Sequence, residues 1–217
     1  MKTDIDIKQD VIAELGWEPS VNAARIGVEV QEGIVTLAGH VDSYTEKLHA
    51  ERAAQRVSGV KGLAVEMLVK LPGMSKRTDS DIVGTVLNVL QWTTSLPANA
   101  IEVKSENGLI TLSGELEWDY QREAARDAVR YLIGVTGIRD QITIRPKAAS
   151  SVVKSQIEAA LKRRAQSDAE RISVEVNSDN VTLSGTVHSW SERELAAGTA
   201  WASPGVRKVV DNITIAY

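Results

Sequence analysis

The chain has no cysteine and only three histidines among 217 residues. The first absence excludes a disulfide framework and any thiolate nucleophile or ligand. There is no excess of positive charge either: 25 Lys and Arg stand against 29 Asp and Glu, a net charge of −4. Nucleic-acid binding rests on neutralising phosphates, so nucleic acid is not an expected partner. The opening MKTDIDIKQDVIAEL lacks the unbroken apolar core of a secretory signal. As written, the chain is expected in the cytoplasm, with a periplasmic mature form as the alternative. The longest uncharged run, Ile82–Ile101, contains Asn88, Gln91, Thr93, Thr94, Ser95, Pro97 and Asn99. Those groups are costly in hydrocarbon, so the run is not read as a membrane span. No P-loop and no Ser/His/Asp order occurs.

What the chain does contain is one pattern, three times. Residues 4–70, 79–145 and 150–216 align without gaps at successive offsets of 75 and 71. The shared kernels are Gly33–Gly39 (GIVTLAG), Gly108–Gly114 (GLITLSG) and Asp179–Gly185 (DNVTLSG). A Gly-Val pair follows each, at Gly59-Val60, Gly134-Val135 and Gly205-Val206. Internal repetition resets the folding unit. Domains are therefore expected at 1–70, 79–145 and 150–217. Charge is uneven among the copies: Lys and Arg number 7, 6 and 8, against 11, 10 and 8 Asp and Glu.

Each copy reads helix, strand, strand, helix, strand. Ile7, Val11 and Leu15 recur at four-residue spacing, the mark of one helix face, as do Ile82, Val86, Leu90 and Val153, Ile157, Leu161. Ile26, Val28, Val30 and Ile172, Val174, Val176 alternate with period two, as half-buried strands do. Hairpin turns are expected at Glu32-Gly33, Asn107-Gly108 and Asp179-Asn180. Capping boxes, Ser43-x-x-Glu46 and Ser189-x-x-Glu192, start the second helices of copies one and three. Ala50, Ala53, Ala125 and Ala128 suit close helix–sheet contact, and Gly59, Gly134 and Gly205 suit left-handed helix C-termini. Met67, Val69, Ile142, Ile144, Ile213 and Ile215 are expected to point inward from the last strands. The fold class is α+β: three tandem αββαβ domains, each a three-stranded mixed sheet with two helices on one face. A right-handed crossover sets the third strand parallel to the second. The first strand is expected between them.

This element order, with Val35-Thr36-Leu37-Ala38-Gly39, Ile110-Thr111-Leu112-Ser113-Gly114 and Val181-Thr182-Leu183-Ser184-Gly185, resembles the BON domain family. The resemblance covers essentially the whole chain. It implies a non-catalytic, transport- or osmotic-stress-associated bacterial binding module, acting at phospholipid or envelope interfaces. A cytoplasmic branch of the family implies a potassium- or cation-responsive module instead. The family glycines carry over onto Gly39, Gly114, Gly185 and Gly59, Gly134, Gly205, where they mark the fold.

Catalysis finds no support in the residues. His40, His49 and His188 occupy no equivalent positions, and no ligand spacing indicates a metal or cofactor. Glu115 and Glu117 read as solvated charge at a strand end. Gly59–Gly62 and Gly134–Gly137 match a GxxG loop of RNA-binding KH domains, but read better as a turn entering a strand. The informative departures lie in the first helices. Those of copies one and three are expected to carry charged outer faces. That of copy two has only Thr85, Asn88 and Gln91 as polar residues between Ile82 and Trp92, so a second apolar face must be covered. A neighbouring repeat or subunit is the expected cover. Lipid contact through Val83, Leu87 and Trp92, with Trp118, is the alternative, and a protein–protein scaffold a third. The basic run Lys162, Arg163, Arg164 suits a helix C-terminus or contact with an acidic surface. Asp4, Asp6 and Asp10 are the candidates for a monovalent cation.

Overall fold

The computed structural model describes residues 2–145, 154–164 and 172–216. The first repeat runs α1 (Asp4–Trp17), β1 (Ile26–Gln31), β2 (Ile34–Val41), α2 (Tyr44–Arg56) and β3 (Gly62–Val69). The second runs α3 (Asp79–Trp92), β4 (Ile101–Glu106), β5 (Leu109–Leu116), α4 (Asp119–Val129) and β6 (Gly137–Ile144). The third runs α5 (Lys154–Arg164), β7 (Ile172–Asn177), β8 (Asn180–Val187), α6 (Trp190–Trp201) and β9 (Lys208–Ile215). Val153, expected on the α5 face, and the second linker lie outside the described residues.

Each repeat closes its own core. In the first, Ile7, Val11 and Leu15 from α1 and Ala50, Ala53 and Ala54 from α2 cover Val35, Leu37 and Met67 of the sheet. The alanines let α2 lie close to the strands, as their size predicts. Ile82, Val86, Leu90, Ile157 and Leu161 are buried as their spacing requires.

The strand order is β1-β2-β3, and likewise in the other two sheets, so the second strand is central. It pairs antiparallel with β1 over six residues and parallel with β3 over eight. The expectation that the first strand sits in the middle is thus corrected. The burial of side chains explains the order: Val35 and Leu37 of β2 are wholly buried, whereas Val30 of β1 is only partly so. The strand most completely covered takes the centre, and sequential strands stay adjacent.

Two local expectations shift as well. The third hairpin turns at Ser178-Asp179, not Asp179-Asn180, since Asn180 already pairs with Asn177. Ser178 takes the left-handed conformation (φ 56°) held by Glu32 and Asn107 in the other copies. Gly59, Gly134 and Gly205 do have positive φ, but lie beyond the helix ends. Each is the third residue of a four-residue turn closed by Val60 N–H to Val57 O, Val135 N–H to Leu132 O, or Val206 N–H to Ser203 O. With Pro204 before Gly205, the last has the residues of a type II turn.

The capping serines act as expected on one side only. Ser43 and Ser189 hydroxyls accept from the Glu46 and Glu192 amides. The glutamates reach one residue past the cap, to the Asp42 and His188 N–H groups. Full boxes occur instead at Thr3/Asp6 and Thr78/Asp81, opening α1 and α3.

The repeats meet through their second helices. Tyr44, opening α2, packs against the second core, and the Thr45 hydroxyl donates to Arg130 O. Trp201, ending α6, packs on that same core beneath the Arg122 guanidinium, 4.6 Å from the ring centroid. Trp190, opening α6, donates its indole N–H to Val60 O of the first repeat at 3.1 Å. Contacts one–two, two–three and three–one close around α2, α4 and α6.

Candidate binding surface

Because the second helices form the junction, the first helices are left on the outside. Among the described residues no other repeat covers the uncharged face of α3, so of the two expected covers the neighbouring repeat does not supply it. Ile82, Val86 and Leu90 point into the core. Val83 is half-buried, while Leu87 is 45% and Trp92 86% exposed. A groove of about 220 Å³ opens beside Leu87, lined by Leu90, Leu96, Pro97 and Ile101. Thr85, Asn88 and Gln91 form an exposed polar stripe alongside. The Thr85 hydroxyl donates to the Asp81 carbonyl, one turn back.

The outer face of α1 is also less polar than its sequence suggests. Ile12 is 48% and Trp17 83% exposed. Adding the offset of 75 turns Ile12 into Leu87 and Trp17 into Trp92. The same apolar pair thus stands outside two helices. In the third copy the equivalent positions are Glu158 and Arg163, and Glu158 pairs with Lys154. Sequence reasoning passed over Trp17 because Lys8, Asp10 and Glu14 share its helix. Aligning the copies column by column would have found it.

Trp118 does not join this face. It is half-buried before α4 and lines a cleft with Trp201. Of the basic run, Arg163 is exposed and faces a cleft beside Thr199 and Pro204; the side chains of Lys162 and Arg164 lie outside the description. The three aspartates turn to separate partners. Asp4 accepts the Glu32 and Gly33 N–H groups at 2.8 and 2.9 Å, pinning the hairpin. Asp6 caps Thr3, a bond that lowers its pKa. Asp10 pairs with Lys2 at 2.7 Å.

In the second repeat Asp79 takes the place of Asp4, accepting from Asn107, Gly108 and Ser105. These bonds, Ser105 first, hold its pKa below the usual carboxylate value. Burial pushes Glu51 of α2 the other way, with Lys47 and Arg52 opposing. Glu115 is ion-paired to Arg145 at 2.9 Å. His49 contacts Ser20, and His188 the Ala216 carbonyl. Among the described residues no cluster of three His, Asp or Glu could hold a metal, and no helix is long and apolar enough to cross a membrane.

The BON domain pattern matches residues 3–70, 78–146 and 150–217. The chain is 28% identical over 177 residues to osmotically-inducible protein Y of Escherichia coli (strain K12), covering 78% of this chain and 88% of that one. A structure of CdsD, a structural protein of the Type III secretion system of Chlamydia trachomatis, covers 97% of this chain and 92% of its own at 16% identity and TM-score 0.26. The PrgH periplasmic domain covers 89% and 96% at 13% identity and TM-score 0.22. With three matches spanning nearly its whole length, this chain belongs to the BON-domain family.

Proposed function

We propose that the chain is a non-catalytic, stress-associated binding protein that settles on phospholipid surfaces through the outer faces of α1 and α3. The observation that carries this reading is the repeated pair Ile12/Trp17 and Leu87/Trp92, exposed on two helices of one folded chain. Exposed apolar side chains recurring at equivalent positions are unlike the scattered ones of an ordinary surface. Tryptophan suits the bilayer boundary, where one end of the ring is apolar and the other wet. Helix α3 holds no Lys or Arg. Attachment therefore rests on apolar insertion rather than attraction to anionic headgroups. The link to stress rests on the osmotically inducible relative.

Sedimentation with phosphatidylcholine vesicles tests the reading. Wild type is expected to co-sediment with little sensitivity to salt, and Leu87→Asp to stay in solution while keeping its circular dichroism. Wild type left wholly in the supernatant would overturn the proposal.

A further inference from the structure

A second feature lies away from those faces, in the cleft where α4 of the second repeat meets α6 of the third. Its volume is about 650 Å³, within the range of small-molecule sites. One wall presents Asp119, Glu123 and Asp127, at four-residue spacing along a single stripe of α4. Aromatic surface comes from Trp118, Tyr120 and Trp201, and Gly198 leaves the α6 side open.

Each carboxylate has an arginine three residues on: Asp119 with Arg122, Glu123 with Arg126 and Asp127 with Arg130. Those arginines are not in the cleft lining. Arg122 and Arg126 stand on the neighbouring stripe of α4, where they approach Asp140, and Arg130 follows the helix end. The cleft thus meets the acidic side of each pair together with aromatic rings, and of the three arginines only Arg122 reaches one of those rings. Burial raises the pKa of Asp119, with Arg122 opposing. Arg122 over Trp201 shows that a diffuse cation already rests on one of these rings.

We infer that this cleft binds an organic cation of the quaternary-ammonium class. Such a cation is large, weakly hydrated and without hydrogen-bond donors, so aromatic faces and nearby carboxylates hold it at small desolvation cost. A small hard metal ion would need bare oxygen ligands. Here every carboxylate is already engaged with an arginine.

The test uses the full chain, choline chloride against sodium chloride at equal ionic strength, and the neutral isostere 3,3-dimethylbutan-1-ol. Choline is expected to shift the indole N–H resonances of Trp118 and Trp201 saturably, leaving those of Trp17 and Trp92 in place. The neutral isostere should bind at least tenfold more weakly. A Cβ added at Gly198 meets nothing within 4 Å, and the position lines the cleft, so Gly198→Leu should extend into the cleft with the fold kept. It is expected to weaken choline at least tenfold while leaving vesicle sedimentation unchanged. Glu123→Gln is the second variant, expected to weaken choline but not the isostere. A soluble short-chain phosphatidylcholine separates sources: binding equal to choline assigns a lipid headgroup, and weaker binding assigns a free cation. Equal affinity for choline and its isostere, choline binding untouched by both variants, or no saturable shift would each overturn the inference.

Discussion

Replacing Trp190 should loosen the junction on which the exposure of the first helices depends. The residue is half-buried at the start of α6, and its N–H reaches the Val60 carbonyl of the first repeat at 3.1 Å. An aromatic side chain buries about 150–250 Å² when fully covered. At about 25 cal/mol per Å², partial coverage makes the ring worth roughly 2–4 kcal/mol. The hydrogen bond adds about 1 kcal/mol. Trp190→Ala should therefore cost roughly 3–5 kcal/mol, in the range of large-to-small truncations. Trp190→Phe keeps most of the apolar contact and loses the donor, so about 1–1.5 kcal/mol is expected. Urea titration followed by circular dichroism measures both. Since the contact joins repeats one and three, Trp190→Ala should also expose Val60 and its neighbours to faster amide exchange. Two results would refute the closed arrangement: alanine within 0.5 kcal/mol of wild type, or phenylalanine as costly as alanine.

Three further outcomes follow from single residues. Gly114 has φ 141°, and a Cβ there would run into the Ala100 carbonyl oxygen, so Gly114→Ala should cost about as much as a large core truncation and lower the melting temperature sharply. Asp79 pins its hairpin with a pKa below the ordinary value, so its contribution is present above that value and is lost as pH falls through the folded-state pKa. Asp79→Asn should lower thermal stability at neutral pH, and its gap to wild type should close on acidification below about pH 4. Glu51 has the opposite sign: burial raises its pKa, so its contribution is favourable below the ordinary carboxylate range and is lost as pH rises. Glu51→Gln should raise the melting temperature at pH 7 and leave it nearly unchanged near pH 4; no gain at pH 7 would remove the assignment.

Much of the fold was legible because it is written in local periodicity. The spacing of Ile7, Val11 and Leu15 specifies a helix that runs Asp4–Trp17, and alternation picks out the buried Ile26 and Val28. Strand order was not legible, because adjacency in a sheet depends on competition among three strands for the covered centre. The third turn keeps the register of the other two but was misplaced by one residue in the sequence, because Asp179 stands where the other copies have glycine; Ser178 adopts the left-handed φ of Glu32 and Asn107. The outer face of α3 could be read as apolar but not as uncovered. Which surface of a repeat meets its neighbours is decided by long-range pairs such as Tyr44 against the second core and Trp190 against Val60. For the same reason Trp118 could be flagged as an aromatic near a surface, yet its partner Trp201, 83 residues away, could not be foreseen.

The most direct measurement is quenching of tryptophan fluorescence by vesicles whose lipids are brominated along the acyl chain, comparing wild type with Trp92→Ala. Trp92 is 86% exposed, so its loss should leave folding stability within about 0.5 kcal/mol of wild type. If α3 lies on the bilayer, wild-type fluorescence should be quenched and the quenched fraction should fall markedly in the variant, with Trp17→Ala removing a further part. Identical quenching in wild type and Trp92→Ala, or none in either, would contradict the placement of the membrane-binding surface on α3.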